Sequence, residues 1–114
     1  MILIVGGRGT GKRAFVQTLG YSQTDMTNSC TDEKPVIYDI QEILRNHESD
    51  GILPVLLNKE VVICNEIGSG VVPISEKDRQ WRESVGRLCV DLAKEATVVV
   101  RVCCGIPQVL KGAL

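Results

Sequence analysis

The first thirteen residues, MILIVGGRGTGKR, limit most sharply what this chain can fold into. A short unbroken apolar run, residues 1–5, stops at a glycine. Such a run is the pattern of a parallel strand buried on both faces. Glycines at 6, 7, 9 and 11 then permit tight turns and close approach of the backbone to a ligand. From Lys12 the pattern turns helical, with Ala14, Phe15, Thr18 and Leu19 near one face and Gly20 as a stop. Gly6 to Lys12 fit G-x-x-x-x-G-K in the strand–loop–helix setting that this pattern requires.

The chemistry follows from the residue types. Backbone N–H groups across Gly6, Gly7, Arg8, Gly9, Thr10 and Gly11 are expected to face phosphate oxygens, with the helix N-terminus adding positive potential. Lys12 would reach the terminal phosphates as a mobile point charge. Arg13 stands where the full pattern has the Ser or Thr that holds Mg²⁺. An arginine cannot ligate a cation; it contacts phosphate or points to solvent. The expected ligand is a purine nucleotide, GTP or ATP, with or without Mg²⁺. The alternative is a glycine-rich turn that binds nothing.

With 114 residues, the chain is expected to be a single nucleotide-binding domain spanning 1–114, without room for a separate substrate domain. Thirteen basic against fourteen acidic residues give a net charge of -1, which argues against a nucleic-acid or anionic-membrane surface. No run reaches the roughly 18 apolar residues that suggest a transmembrane helix. The opening residues lack a positive n-region and read as a first strand, not a signal peptide. Five cysteines, at 30, 64, 89, 103 and 104, form no CxxC pair and no Cys/His cluster, and three lie in apolar runs. Free thiols and a cytoplasmic location are the expectation.

Along the rest of the chain, residues 21–34 read as an irregular surface segment. Ile37, Ile40, Ile43 and Leu44 recur at helical spacing, predicting a helix over about 36–46. ILPVLL at 52–57 fits either a short helix or an extended piece, the latter a place for a fourth strand. EVVICN at 60–65 is a second core strand. Ser75 is a good N-cap, with Asp78 three residues on, for a helix to about 95 whose stripe is Trp81, Val85, Leu88, Leu92 and Ala96. Glu83 and Arg87 make a favourable i,i+4 pair. TVVVRVC at 97–103 is a third strand, 104–107 a turn, and 108–114 a short tail with at most one helical turn. Strands and helices so arranged imply an α/β fold with a mostly parallel sheet covered on both sides.

Glu66 ends the second strand at the rim where α/β ligands bind. Its carboxylate either holds Mg²⁺ through water or orients a nucleophile, or it is an exposed loop group. Arg79, Arg82 and Arg87 on the following helix either meet phosphate or a neighbouring subunit, or form a solvated face.

VVICNEIGSGVVP at 61–73, RQWRESVGRL at 79–88 and CCGIPQVLKG at 103–112 follow the glycine loop in order. Together these stretches resemble the cobinamide kinase / cobinamide-phosphate guanylyltransferase family of cobalamin biosynthesis. The resemblance implies a three-layer, RecA-like P-loop NTPase fold and a symmetric homo-oligomer with active sites near subunit boundaries. It implies ATP or GTP as phosphoryl donor to the aminopropanol hydroxyl of adenosylcobinamide, and GTP as guanylyl donor through a histidine-bound GMP. By motif match, Gly6 to Arg13 would hold the phosphates, Lys12 and Glu66 would serve the chemistry, and residues 67–72 would line the same site.

Two departures bear on activity. The segment between the first helix and the NEIG strand, which carries the guanylylated histidine in the family, is short here. His47 in LRNHESDG is the chain's one histidine and lacks a similar neighbourhood, so it is expected to be a helix-end or surface residue. The guanylyltransferase half is therefore expected to be lost, and the kinase half stays open. A non-catalytic nucleotide-binding regulatory or structural oligomer is the competing expectation.

Overall fold

The computed structural model describes residues 1–46, 49–66 and 75–114. Its described strands form one mixed sheet in the order β2-β3-β4-β1-β5-β6. β1 (Ile2–Gly6), β4 (Val61–Asn65) and β5 (Val98–Cys103) are the three apolar runs expected from the sequence. They are parallel, with Leu3 beside Val62 on one side and Val99 on the other. Alternation along these strands feeds two cores. Leu3, Val62, Cys64 and Val99 face one way; Ile4, Val61, Ile63, Val98, Val100 and Val102 face the other.

Helices cover both faces. α1 (Lys12–Thr18) packs Val16 into the second cluster. α2 (Ile40–Ile43), α3 (Ser49–Leu57) and α4 (Glu76–Glu95) contribute to the first, through Ile40, Ile52, Leu56, Val85, Leu88 and Leu92. Ser75 caps α4 as expected: its Oγ accepts from the Asp78 N–H at 3.1 Å. Acidic Glu76 and Asp78 in the first turn and Lys94 in the last complement the helix dipole. Ser75→Ala is expected to cost about 1 kcal/mol in urea unfolding. Glu83 and Arg87 pair at 3.4 Å, as their spacing suggests.

The edges of the sheet depart from the sequence reading. Val36 and Ile37 are not the start of a helix; they form β3 (Val36–Ile37), in parallel register with Val61 and Val62. Two β-branched residues buried on opposite faces favour the strand. Asp39, at φ 54, then separates β3 from the single turn of α2. The segment 21–34 is not wholly irregular: a 3-10 turn at Gln23–Asp25 leads into β2 (Met26–Thr27), which pairs with β3. Residues 52–57 lie in α3 and supply no strand; Ile52 and Leu56 are buried at i,i+4 spacing while Pro54 stays exposed.

The C-terminal stretch is not a tail but β6 (Ile106–Lys111), antiparallel to β5. Cys104 and Gly105 turn the hairpin with φ 52 and 75, the positive pair of a type I′ turn. Pro107 is tolerated because β6 is an edge strand. Cys103, the last residue of β5, is exposed. All five cysteines are free; Cys64 is buried and shares a hydrogen bond with Cys89 at 3.4 Å.

Among the described residues no helix is long and apolar enough to cross a membrane.

Candidate functional site

β1 and β4 are neighbours whose onward connections diverge. β1 leads through α1 to β2 at one edge, and β4 leads through α4 to β5 on the far side of β1. The carboxyl ends of two such strands form a crevice where α/β folds bind ligands. Here the crevice begins at Gly6 and Asn65, which are register partners.

The glycine loop is built around its own polar groups. The Gly7 carbonyl accepts from Thr10 Oγ1 at 2.9 Å and from Lys12 Nζ. Gly9 and Gly11 have φ 72 and 92, left-handed values that side-chain-bearing residues rarely take. A Cβ on Gly6 would run into the Val102 carbonyl oxygen and lie 2.9 Å from Thr10 Oγ1. The loop is also braced from outside, since the Gly105 N–H at the β5–β6 turn donates to the Thr10 carbonyl at 2.8 Å.

A cleft of about 520 Å³ opens over this loop. Arg8 to Ala14 form one wall; Tyr38 and Asp39, just after β3, and Ile63 and Asn65, on β4, form the rest. Lys12 is buried, with 7% of its surface exposed. Burial lowers its pKa below the ordinary lysine value; Cys64, Asp39 and Glu66 oppose that shift and Arg13 adds to it. A buried ammonium beside a glycine loop favours a ligand that brings negative charge and replaces lost hydration.

The opposite wall is held by Gln41, a buried residue at 3% exposure. Its Nε2 donates to Asp39 Oδ1 at 3.3 Å, and its Oε1 accepts from the Asn65 N–H at 3.2 Å. One amide thus ties a left-handed aspartate to the end of β4. Its backbone carbonyl accepts from Trp81 Nε1 at 2.7 Å, which joins this wall to α4. Gln41→Leu should leave the Asn65 N–H without its partner and cost about 2 kcal/mol in denaturant unfolding.

Of the residues singled out in the sequence, Arg8 to Arg13 line the cleft, while Gly6, the last residue of β1, and Gly7 precede the lining residues and are not among them. Arg13 is exposed, its guanidinium 4.9 Å from the centre of the Tyr38 ring. Glu66 is placed differently from the loop. Its N–H donates to the Gly6 carbonyl at 2.8 Å, but its carboxylate is ion-paired with Arg101, whose Nε lies 3.1 Å from Oε1 and whose Nη2 donates to Oε2 at 3.3 Å. Period-two alternation explains this: Ile63 and Asn65 line the cleft, while Cys64 and Glu66 belong to the opposite face of β4. The Glu66–Arg101 pair spans the end of β1 on the face to which Val5, the register partner of Arg101, belongs. His47 and residues 67–72 lie outside the described residues.

Tyr38, Asp39 and Asn65 were not singled out in the sequence. The signal that finds Tyr38 and Asp39 is their position directly after a parallel strand, legible only once Val36-Ile37 is read as one. Among the described residues no group of three His, Cys, Asp or Glu is gathered to hold a metal ion.

A family model described as cobinamide kinase / cobinamide phosphate guanyltransferase matches residues 26–110. The match begins beyond the glycine loop and takes in β2 to β5 and most of β6. The NEIG segment, the arginine-bearing helix and the GIPQVLKG ending, which carried the resemblance in the sequence, fall wholly or mostly within it. A search of curated proteins returned no match to the chain. Because the family model spans well over half of the sequence, the chain belongs to the cobinamide kinase / cobinamide phosphate guanyltransferase family.

Proposed function

We propose that this chain is a single P-loop-type domain with a three-layer, RecA-like fold, that it binds ATP or GTP over the glycine loop, and that it acts as a phosphotransferase on a cobinamide-type corrinoid. The observation that carries the reading is Lys12, a buried ammonium at the base of a glycine-loop cleft, at the point where the sheet's connections diverge. The cleft volume suits a nucleotide. Gly6 to Arg13 bind the phosphates, and Lys12 stabilises charge that develops on the transferring group.

Mg²⁺ takes one or two carboxylates and completes its shell with substrate phosphates and water. Asp39 is the carboxylate that fits, because it lines the cleft opposite the loop. An oxygen ligand from Asp39 would offset the absence of a hydroxyl at Arg13. When bound, the ion would neutralise charge between the outer phosphates. Glu66 acts, on this reading, by fixing the β4 end against Arg101 and so positions the cleft.

Guanylyl transfer is not part of the proposal, since the chain has one histidine and lacks the family's surrounding segment. A cytoplasmic homo-oligomer remains the expected state; exposed Ile106, Val109 and Leu110 on β6 support association of copies. Phosphoryl transfer from ATP and from GTP to cobinamide, followed with Mg²⁺ present, tests the activity. Phosphorylated corrinoid supports it. Nucleotide binding without any product sinks the kinase reading and favours the non-catalytic one, to which Arg13 and the engaged Glu66 point.

A further inference from the structure

A second pocket of about 450 Å³ adjoins the first and shares Arg13, Ala14 and Tyr38 with it. Its remaining walls are Gln17, Gln23 and Met26. The wall shared by the two pockets gives a nucleotide whose phosphates lie over the loop a path for its base into this second pocket. Resting on the nucleotide-binding reading above, we propose that the second pocket is a nucleobase subsite that selects adenine over guanine, through the side-chain amides of Gln17 and Gln23.

The pocket has the two properties that a base needs. Tyr38 supplies a ring and Met26 a buried apolar wall, at 7% exposure, for the base's flat surface. Gln17 and Gln23 are exposed at the pocket surface, each with a donor and an acceptor on one planar group. Adenine presents an amino donor beside a ring-nitrogen acceptor, the pattern that one glutamine amide meets with two bonds. Guanine's O6/N7 edge presents two acceptors and calls for a cation, while its N1–H and N2–H edge calls for a carboxylate. No carboxylate lines this pocket among the described residues. Its cation, Arg13, lies over the Tyr38 ring at the boundary with the loop cleft, where it meets the phosphate side of a ligand.

The test is calorimetric titration of the full chain with ATP, GTP and inorganic tripolyphosphate, repeated on Gln17→Leu and Gln23→Leu. Both positions are exposed, so the variants are expected to fold. The expected result is ATP about tenfold tighter than GTP, with that preference lost in at least one variant while tripolyphosphate binds as in the native chain. Tripolyphosphate binding together with equal ATP and GTP affinities, or with an ATP preference unchanged in both variants, overturns the base subsite and leaves the loop reading standing. Failure of all three ligands to bind overturns the loop reading, and this one with it.

Discussion

Lys12→Met is expected to lower ATP and GTP affinity by at least about a hundredfold, roughly 3 kcal/mol, with the fold intact. Methionine keeps the length of the stem, so packing beneath the loop changes little. What disappears is the ammonium, which lies buried beside the Gly7 carbonyl within the cleft wall. The sign of the stability effect follows from its lowered pKa. Between that lowered value and the ordinary 10.5, the folded chain holds fewer protons than the unfolded one, so the contribution of Lys12 to stability rises with pH. Below the lowered value the buried charge is a net cost, and the variant should unfold at or above the native temperature. Binding runs the other way. Phosphates favour the charged lysine, so native affinity holds below the lowered pKa and falls as pH climbs through it. The decline should begin at lower pH than for an ordinary lysine. Calorimetry over a pH series, with thermal unfolding of both proteins, checks each part.

Gly6→Val is expected to destabilise the chain by about 3 kcal/mol and to remove nucleotide binding. The first atom of any side chain there meets the Val102 carbonyl oxygen, a backbone group of β5 that cannot swing aside. Relief requires β1 to move away from β5, across a parallel pairing that runs from Ile2 to Val5. It also displaces Thr10, whose hydroxyl and carbonyl brace the loop. For a chain of this size the fall in melting temperature should be about 15 °C. Gly7→Ala is the control. A Cβ at Gly7 would lie 3.5 Å from Thr10 Cγ2, an ordinary contact, and φ there is not left-handed. Its stability should stay within about 0.5 kcal/mol of native.

The parts of this fold that could be read from sequence are those with a redundant signal. β1, most of β4 and the first half of β5 are buried on both faces, so each opens as an apolar run, which β5 breaks only at the exposed Arg101. α4 has a cap, a charge gradient and a long apolar stripe that agree with one another. The edges carry no such redundancy. β2 and β3 have two residues each and exist by pairing with neighbours, so their local pattern is set by tertiary contacts. Ile37 and Ile40 are both buried, one on a strand and one on a helix, and their spacing imitated a single helix. β6 is exposed along its length and broken by Pro107, which read as punctuation.

The candidate site divides in the same way. The glycine loop is local and was legible in one stretch of sequence. Asp39 and Tyr38 reach the cleft through the β3–β4 pairing, which no local pattern encodes. Glu66 was found by its place after β4, but the face of the strand on which it falls turns its carboxylate to Arg101.

The most direct measurement of whether the loop is the phosphate cradle is an amide NMR titration of the native chain with ATP and with tripolyphosphate. Gly9, Thr10, Gly11, Lys12 and Arg13 should shift first and furthest with both ligands, and Lys12→Met should abolish those shifts. Saturable shifts elsewhere, with the amides of residues 7–13 unmoved, would contradict the assignment of nucleotide binding to this loop.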